Sequence, residues 1–200
     1  EHSDADAAET WLERAQSALP PPPAERRLRA RIAHARGNLN IERGDVDQAH
    51  SDYVIAANGF RQVGDTRALA GALSNLGNAD LVRRRFAEAE ARYRESLALH
   101  RANGDICEVG VSEGNLGNLH YDRGDLDGAA AAYSRAIEAH QQSGRRRFEC
   151  VVTVNAGSLA LARGQFDEAR RLLGDALVRL GPQPNPRTAG FATVNLGMIA

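Results

Sequence analysis

An all-α fold of stacked helix pairs is what this 200-residue chain predicts, and three observations carry the prediction. Gly37, Gly77, Gly117, Gly157 and Gly197 recur every 40 residues. The same interval carries Asn75, Asn115, Asn155 and Asn195, then Ala49, Ala89, Ala129 and Ala169, then Tyr53, Tyr93 and Tyr133 with Leu173 in the fourth place. Within one interval the apolar residues return at steps of three and four, the spacing of a helix face. Self-similarity at a fixed period between about 20 and 50 residues marks a stacked repeat, in which no unit buries its apolar face alone.

The elements follow in order. Residues 1–23 read as a lone helix with Ala7, Trp11 and Leu19 on one side, the second helix of a preceding partial repeat, broken at Pro20-Pro21-Pro22-Pro23. Four repeats are expected at 24–64, 65–104, 105–144 and 145–186, and residues 187–200 supply the first helix of a fifth. In the second repeat, Ala70, Leu73, Leu76, Gly77 and Leu81 define helix A over 66–84, capped by Asp65 or Thr66. Phe86, Ala89, Tyr93, Leu97 and His100 define helix B over 86–103, stopped by Gly104 before Asp105 caps the next helix A. Between the two helices the other repeats read Arg43-Gly44-Asp45, Arg123-Gly124-Asp125 and Arg163-Gly164-Gln165, but the second reads Arg83-Arg84-Arg85. A left-handed residue there without glycine costs about 1 kcal/mol. Gly77 and Ala89, with their equivalents, are expected to face each other where the helices approach closely, and Tyr93 and its equivalents to fill a gap. The last helix A passes Asn195-Leu196-Gly197 without a helix B to cover it, which reads as an excerpt of a longer protein.

Composition excludes several classes of function. The formal net charge is −1, from 25 basic and 26 acidic residues, which gives no electrostatic footprint for nucleic acid or an anionic membrane. Every basic residue is Arg, which fits a GC-rich bacterial source by association only. No apolar run approaches the ~18 residues that span a bilayer. Cys107 and Cys150 form neither a disulfide framework nor a metal set and read as small semi-buried hydrophobes in a reducing, cytoplasmic compartment. The six histidines show no helical pair at three or four residues, so neither a metal nor any other cofactor is expected. Gly114, Gly117, Gly124 and Gly128 lie in helical sequence with no strand before them and make no phosphate loop. No cluster of nucleophile, base and orienting acid is present, and the chain reads as a non-enzyme.

Asn75-Leu76-Gly77, the turn, Ala89, Tyr93 and Ser96, with Ala136 and Ala176 in the equivalent last position, resemble the tetratricopeptide repeat. The 40-residue period and the Asn-Leu-Gly opening are most similar to its long-repeat branch, seen in kinesin light chains, in Leu-Gly-Asn adaptors and in bacterial regulators. The resemblance implies a right-handed solenoid of antiparallel helix pairs whose helix A faces line a concave groove for peptides. The residues of this chain at groove positions are then His34, Asn38, Ile41 and Glu42; Ser74, Asn75, Asn78 and Val82; Asn115, Asn118, Tyr121 and Asp122; and Val154, Asn155, Ser158 and Ala162. Asparagine amides at a fixed interval can satisfy both N–H and C=O groups of an extended backbone. Asn75, Asn115 and Asn155 have an alternative, bonding to the neighbouring repeat to fix the stack. A clamp for a terminal carboxylate needs Lys or Arg one turn earlier, where this chain has His34, Ser74, Gly114, Val154 and Val194, so that subfunction is not expected.

Glu42, Asp80 and Asp122 in the groove favour a neutral or basic peptide over an acidic one. Arg43, Arg83, Arg123 and Arg163 also repeat, and the helix dipole at a C-terminal turn accounts for them without an anionic ligand. The leading expectation is therefore an interaction scaffold for a protein partner. The competing ones are a sensor or autoinhibitory arm of a larger bacterial signalling NTPase, kinase or transcription regulator, and end-to-end self-association through the uncovered last helix.

Overall fold

The computed structural model describes residues 10–14, 24–181 and 186–199, and these contain helices and turns but no strand. The helices are α1 (described over residues 10–14), α2 (Ala24–Glu42), α3 (Val46–Val63), α4 (Thr66–Val82), α5 (Phe86–Ala102), α6 (Ile106–Asp122), α7 (Leu126–Gln142), α8 (Arg146–Ala162), α9 (Phe166–Leu180) and α10 (Pro186–Gly197). From α3 to α10 every helix begins 20 residues after the one before, so the 40-residue sequence period is one pair of helices. The chain divides into two compact units, Glu1–Asn103 and Gly104–Ala200. In the first, α2 packs on α3, α3 on α4 and α4 on α5; in the second, α6 packs on α7, α7 on α8 and α8 on α9, and α10 covers both α8 and α9. Trp11 lies exposed on α1, while Ala7, Leu19 and the four prolines fall outside the described residues, as do Pro182 and Pro184.

Caps and turns place these boundaries. Asp45, Asp65 and Asp125 accept from the backbone N–H groups of Gln48, Ala68 and Gly128 at 3.0, 3.1 and 2.9 Å, each satisfying an otherwise orphaned donor of the first turn. Asp105 occupies the same position before α6 without making that bond, contrary to the capping role read from sequence. In the A-to-B turns the middle residue is left-handed: φ is 81° at Gly44, 78° at Gly124 and 71° at Gly164. Arg84 adopts φ 60° in the same place, so the turn keeps its geometry and the arginine carries the strain, with its guanidinium 5.0 Å from the Phe86 ring centroid.

At the helix A glycines the nearest atoms belong to the large residue of the paired helix B. A Cβ on Gly37 or Gly77 would come within 2.6 Å of the ring of Tyr53 or Tyr93, one on Gly117 would meet Tyr133, and one on Gly157 would lie 2.7 Å from Leu173. The glycine of helix A is thus the seat of the large residue of its own helix B. Ala49 packs with Tyr53 against Leu76 and Ala79 of the following helix A, and Ala129 with Tyr133 against Val152 and Leu159. Glycine thus admits the large residue within a pair, and fully buried alanines take part in the clusters that join one pair to the next. Further clusters close each unit: Ala30, Ala33, Ala56, Phe60, Leu69 and Leu73 in the first, and Val154, Leu173, Ala176 and Ala192 in the second.

Two glycine substitutions should move stability in opposite directions. Gly117→Leu drives a side chain into Tyr133 and should cost about 1–3 kcal/mol or more in urea denaturation. Gly174→Ala, where an added Cβ meets nothing within 4 Å, should gain about 0.5–1 kcal/mol from helix propensity. Equal effects from both would mean that the helix pairing is drawn wrongly.

Candidate functional site

The Asn-Leu-Gly segment brings its residues together through the same tyrosine that sits on the glycine. Tyr53, Tyr93 and Tyr133 donate their hydroxyls to the side-chain oxygens of Asn38, Asn78 and Asn118 at 2.9, 2.7 and 2.8 Å. Burial, followed by the charges of Asp52 and Glu42, pushes the Tyr53 phenol up to about 12, and burial raises Tyr133 as well, so these hydroxyls stay protonated donors. Asn118 accepts a second bond at 3.1 Å from the Asn155 amide of the following repeat, and Asn38 accepts one at 3.2 Å from Asn75. Asn75 also bonds His34 Nε2 at 3.0 Å, and Asn195 donates to Ser158 Oγ at 2.6 Å. Asn75, Asn155 and Asn195 are therefore struts between repeats within their units.

What these amides leave for a ligand is complementary. Asn38, Asn78 and Asn118 have engaged their oxygens and still hold N–H donors, whereas Asn75 has engaged its N–H groups and still holds a carbonyl acceptor. Asn38 and Asn78 are exposed, and Asn75, Asn115, Asn118, Asn155 and Ser158 are half-buried. Glu42, Tyr121 and Asp122 are exposed at the C-terminal ends of α2 and α6. Two of the residues placed in the groove from sequence lie inside instead. Ser74 is buried with its hydroxyl 3.0 Å from that of Ser96, and Val154 is part of the core of the second unit. Asp80 is only 2% exposed, with His50 Nε2 3.0 Å from its Oδ1, so it contributes no acidity to the groove. Ser74 and Val154 stand one turn before the asparagines, and there the side chain is buried in the stack.

Two clefts on the helix A face were not foreseen. In the first unit a cleft of about 570 Å³ opens between α2 and α4, lined by Arg27, Arg31, His34, Phe60, Asp65, Ala68 and Gly71. Arg27 pairs with Asp65 at 2.7 Å, and the His34 ring lies 5.7 Å from that of Tyr53 and 6.3 Å from that of Phe60. In the second unit a cleft of about 290 Å³ lies among α8, the end of α9 and α10, lined by Arg147, Phe148, Val151, Leu180 and Thr188. Arg27 and Arg147, Arg31 and Val151, Phe60 and Leu180, and Ala68 and Thr188 stand three periods apart. One position in the repeat thus forms a cationic cleft in one unit and an apolar one in the other. The signal was present as Arg27, Arg67, Arg147 and Arg187 on the 40-residue interval. Of the turn arginines, Arg83 pairs with Asp47 at 3.1 Å and Arg163 with Asp127 at 2.5 Å, so these two tie successive repeats rather than forming an anion track.

A tetratricopeptide-repeat family model matches residues 108–178, and a second model of the same repeat matches residues 69–103, together more than half of the chain. The chain belongs to the tetratricopeptide-repeat family. Among solved structures this tetratricopeptide-repeat chain is similar to BtubC (BKLC) from P. vanneervenii, with a TM-score of 0.80, 24% identity, and coverage of 93% of this chain and 78% of that one. It is also similar to a Podosopora anserina protein described by its nearly identical kinesin-light-chain TPR-like repeats, with a TM-score of 0.66, 12% identity, and coverage of 94% and 88%. These likenesses establish the repeat fold. No curated protein matches the chain in sequence. Among the described residues no helix is long and apolar enough to cross a membrane.

Burial lowers the basicity of His34 and of His140, whose Nδ1 is enclosed without a hydrogen-bond partner. A histidine with a folded pKa below its unfolded value of about 6.5 lends stability that is complete above that value and is lost as pH falls through the folded one. The urea midpoint should therefore drop as pH falls below about 6.5. His140→Phe, which installs the residue that Phe60 provides at the same register, should reduce that drop. An unchanged acid response in this variant would assign the loss to other groups.

Proposed function

We propose that this chain is a binding module that carries out no reaction of its own and holds an extended segment of a partner protein along its helix A faces. The observation that carries the reading is the division of labour within the asparagines. In the first unit the amide groups not spent on the fold, the N–H donors of Asn38 and Asn78 and the carbonyl of Asn75, match the alternating needs of an extended backbone, and in the second unit Asn118 keeps an N–H donor. Each unit has its own cleft on the helix A face that offers a side-chain site. Affinity then comes from modest contacts on a preformed surface, which limits the entropy lost on binding.

The charge preference is local. Exposed Glu42 and Asp122 favour a neutral or basic stretch near the C-terminal ends of their helices, whereas Arg27 and Arg31 favour an acidic group at the opposite end of α2. Selection of a random dodecapeptide library on the chain tests the reading. Enriched peptides should bind the Asn78→Ala/Asn118→Ala variant at least about tenfold more weakly, roughly the loss of one to two hydrogen bonds, while its circular dichroism spectrum stays helical. Peptides that bind this folded variant as tightly as the parent chain would remove the asparagine track from the site.

A further inference from the structure

The cleft of the second unit differs from its counterpart in having a floor that is apolar, rigid and open. Phe148 is 46% exposed and Val151 39% exposed, and Phe191 on α10, in the same repeat position as Val151, is 57% exposed. Three large apolar side chains thus stand open, where the register of the first unit places Leu28, Arg31 and Gly71. Leu180 closes the back of the cleft.

The Phe148 ring is held in place from beneath. It stacks on His140 with centroids 5.5 Å apart and planes at 25°. The His140 ring is itself buried, occupying the space left by Gly110, where a Cβ would come within 2.6 Å of it. A platform fixed in this way loses little freedom when it is covered. At the rim Arg147 is exposed, and among the described residues it has no hydrogen bond or ion pair. An uncommitted cation beside an apolar floor calls for a ligand with both characters.

Building on the peptide-binding reading above, we propose that the cleft formed by Phe148, Val151, Leu180 and Thr188 seats one large aliphatic or aromatic side chain of a partner segment, and that Arg147 pairs with a carboxylate close to that side chain in the same segment. The cleft, at about 290 Å³, accommodates one such side chain and no helix. Arg147 assigns the charge, since a basic neighbour would be repelled at the rim.

The experiment uses peptides selected from the random dodecapeptide library on the whole chain, with affinities read by fluorescence anisotropy. The enriched sequences should share a large apolar residue within a few positions of Asp or Glu. Alanine at that apolar position should weaken binding by about ten- to a hundredfold, the factor expected for uncovering one such side chain. Val151→Arg, which installs the residue that the first unit carries at this position, should weaken binding comparably. Arg147→Glu, an exposed change with no effect on packing, should also weaken it, and replacing the peptide's acidic residue by Lys should restore binding to that variant alone. Peptides that bind through the asparagine track but lack a shared apolar residue, or that are indifferent to both Val151→Arg and Arg147→Glu, would overturn this proposal and leave the peptide-binding reading intact. A library from which the chain enriches nothing would overturn both.

Discussion

The structure depends on a missing side chain. At Gly37, Gly77 and Gly117 helix A offers bare backbone, and the aromatic ring of its own helix B lies where a Cβ would be. That contact fixes how closely the two helices pair. It also delivers the tyrosine hydroxyl to the asparagine one residue after the glycine, so a packing constraint becomes a polar one. In the fourth repeat Leu173 fills the seat at Gly157 and brings no hydroxyl, and the position after the glycine there is Ser158 rather than Asn. The loss of the tyrosine and the loss of its acceptor occur together, as expected if the two form one device.

Much of the fold was legible in the sequence because helix ends and periodicity are local properties. The three-and-four spacing and the punctuation between helices place both helices of the second repeat to within two residues at each end. Arg84 was legible for the same reason, since a turn that is left-handed in three repeats dictates the fourth. Pairing was not legible. The sequence interval marks the glycines and tyrosines alike, and only the three-dimensional arrangement shows that the tyrosine ring sits on the glycine of its own pair.

The candidate site shows a similar division. The asparagine columns could be read, but not which amide atoms the fold consumes, because Tyr53 and Asn38 are separated by a whole turn region. Burial misled the reading at Ser74, Val154 and Asp80, whose positions border the groove by register yet point into the stack. The clefts escaped it because their lining residues change identity from unit to unit. A column reading Arg31, Gly71, Val111, Val151 and Phe191 carries no repeat signal. Such variation is what a repeat scaffold permits: the glycine, tyrosine and alanine positions preserve the stack, and the positions facing outward between successive helix A segments are free to acquire different chemistry.

A double-mutant cycle tests the central claim most directly. Tyr133→Phe, Asn118→Ala and the combined variant would be compared with the parent chain by urea denaturation. If the tyrosine hydroxyl and the asparagine act as one interaction, the two losses are not additive and the coupling is about 0.5–1.5 kcal/mol. Losses that simply add would show that the ring packs on the glycine without the polar link, and the account of how each pair is fastened to its asparagine would be wrong.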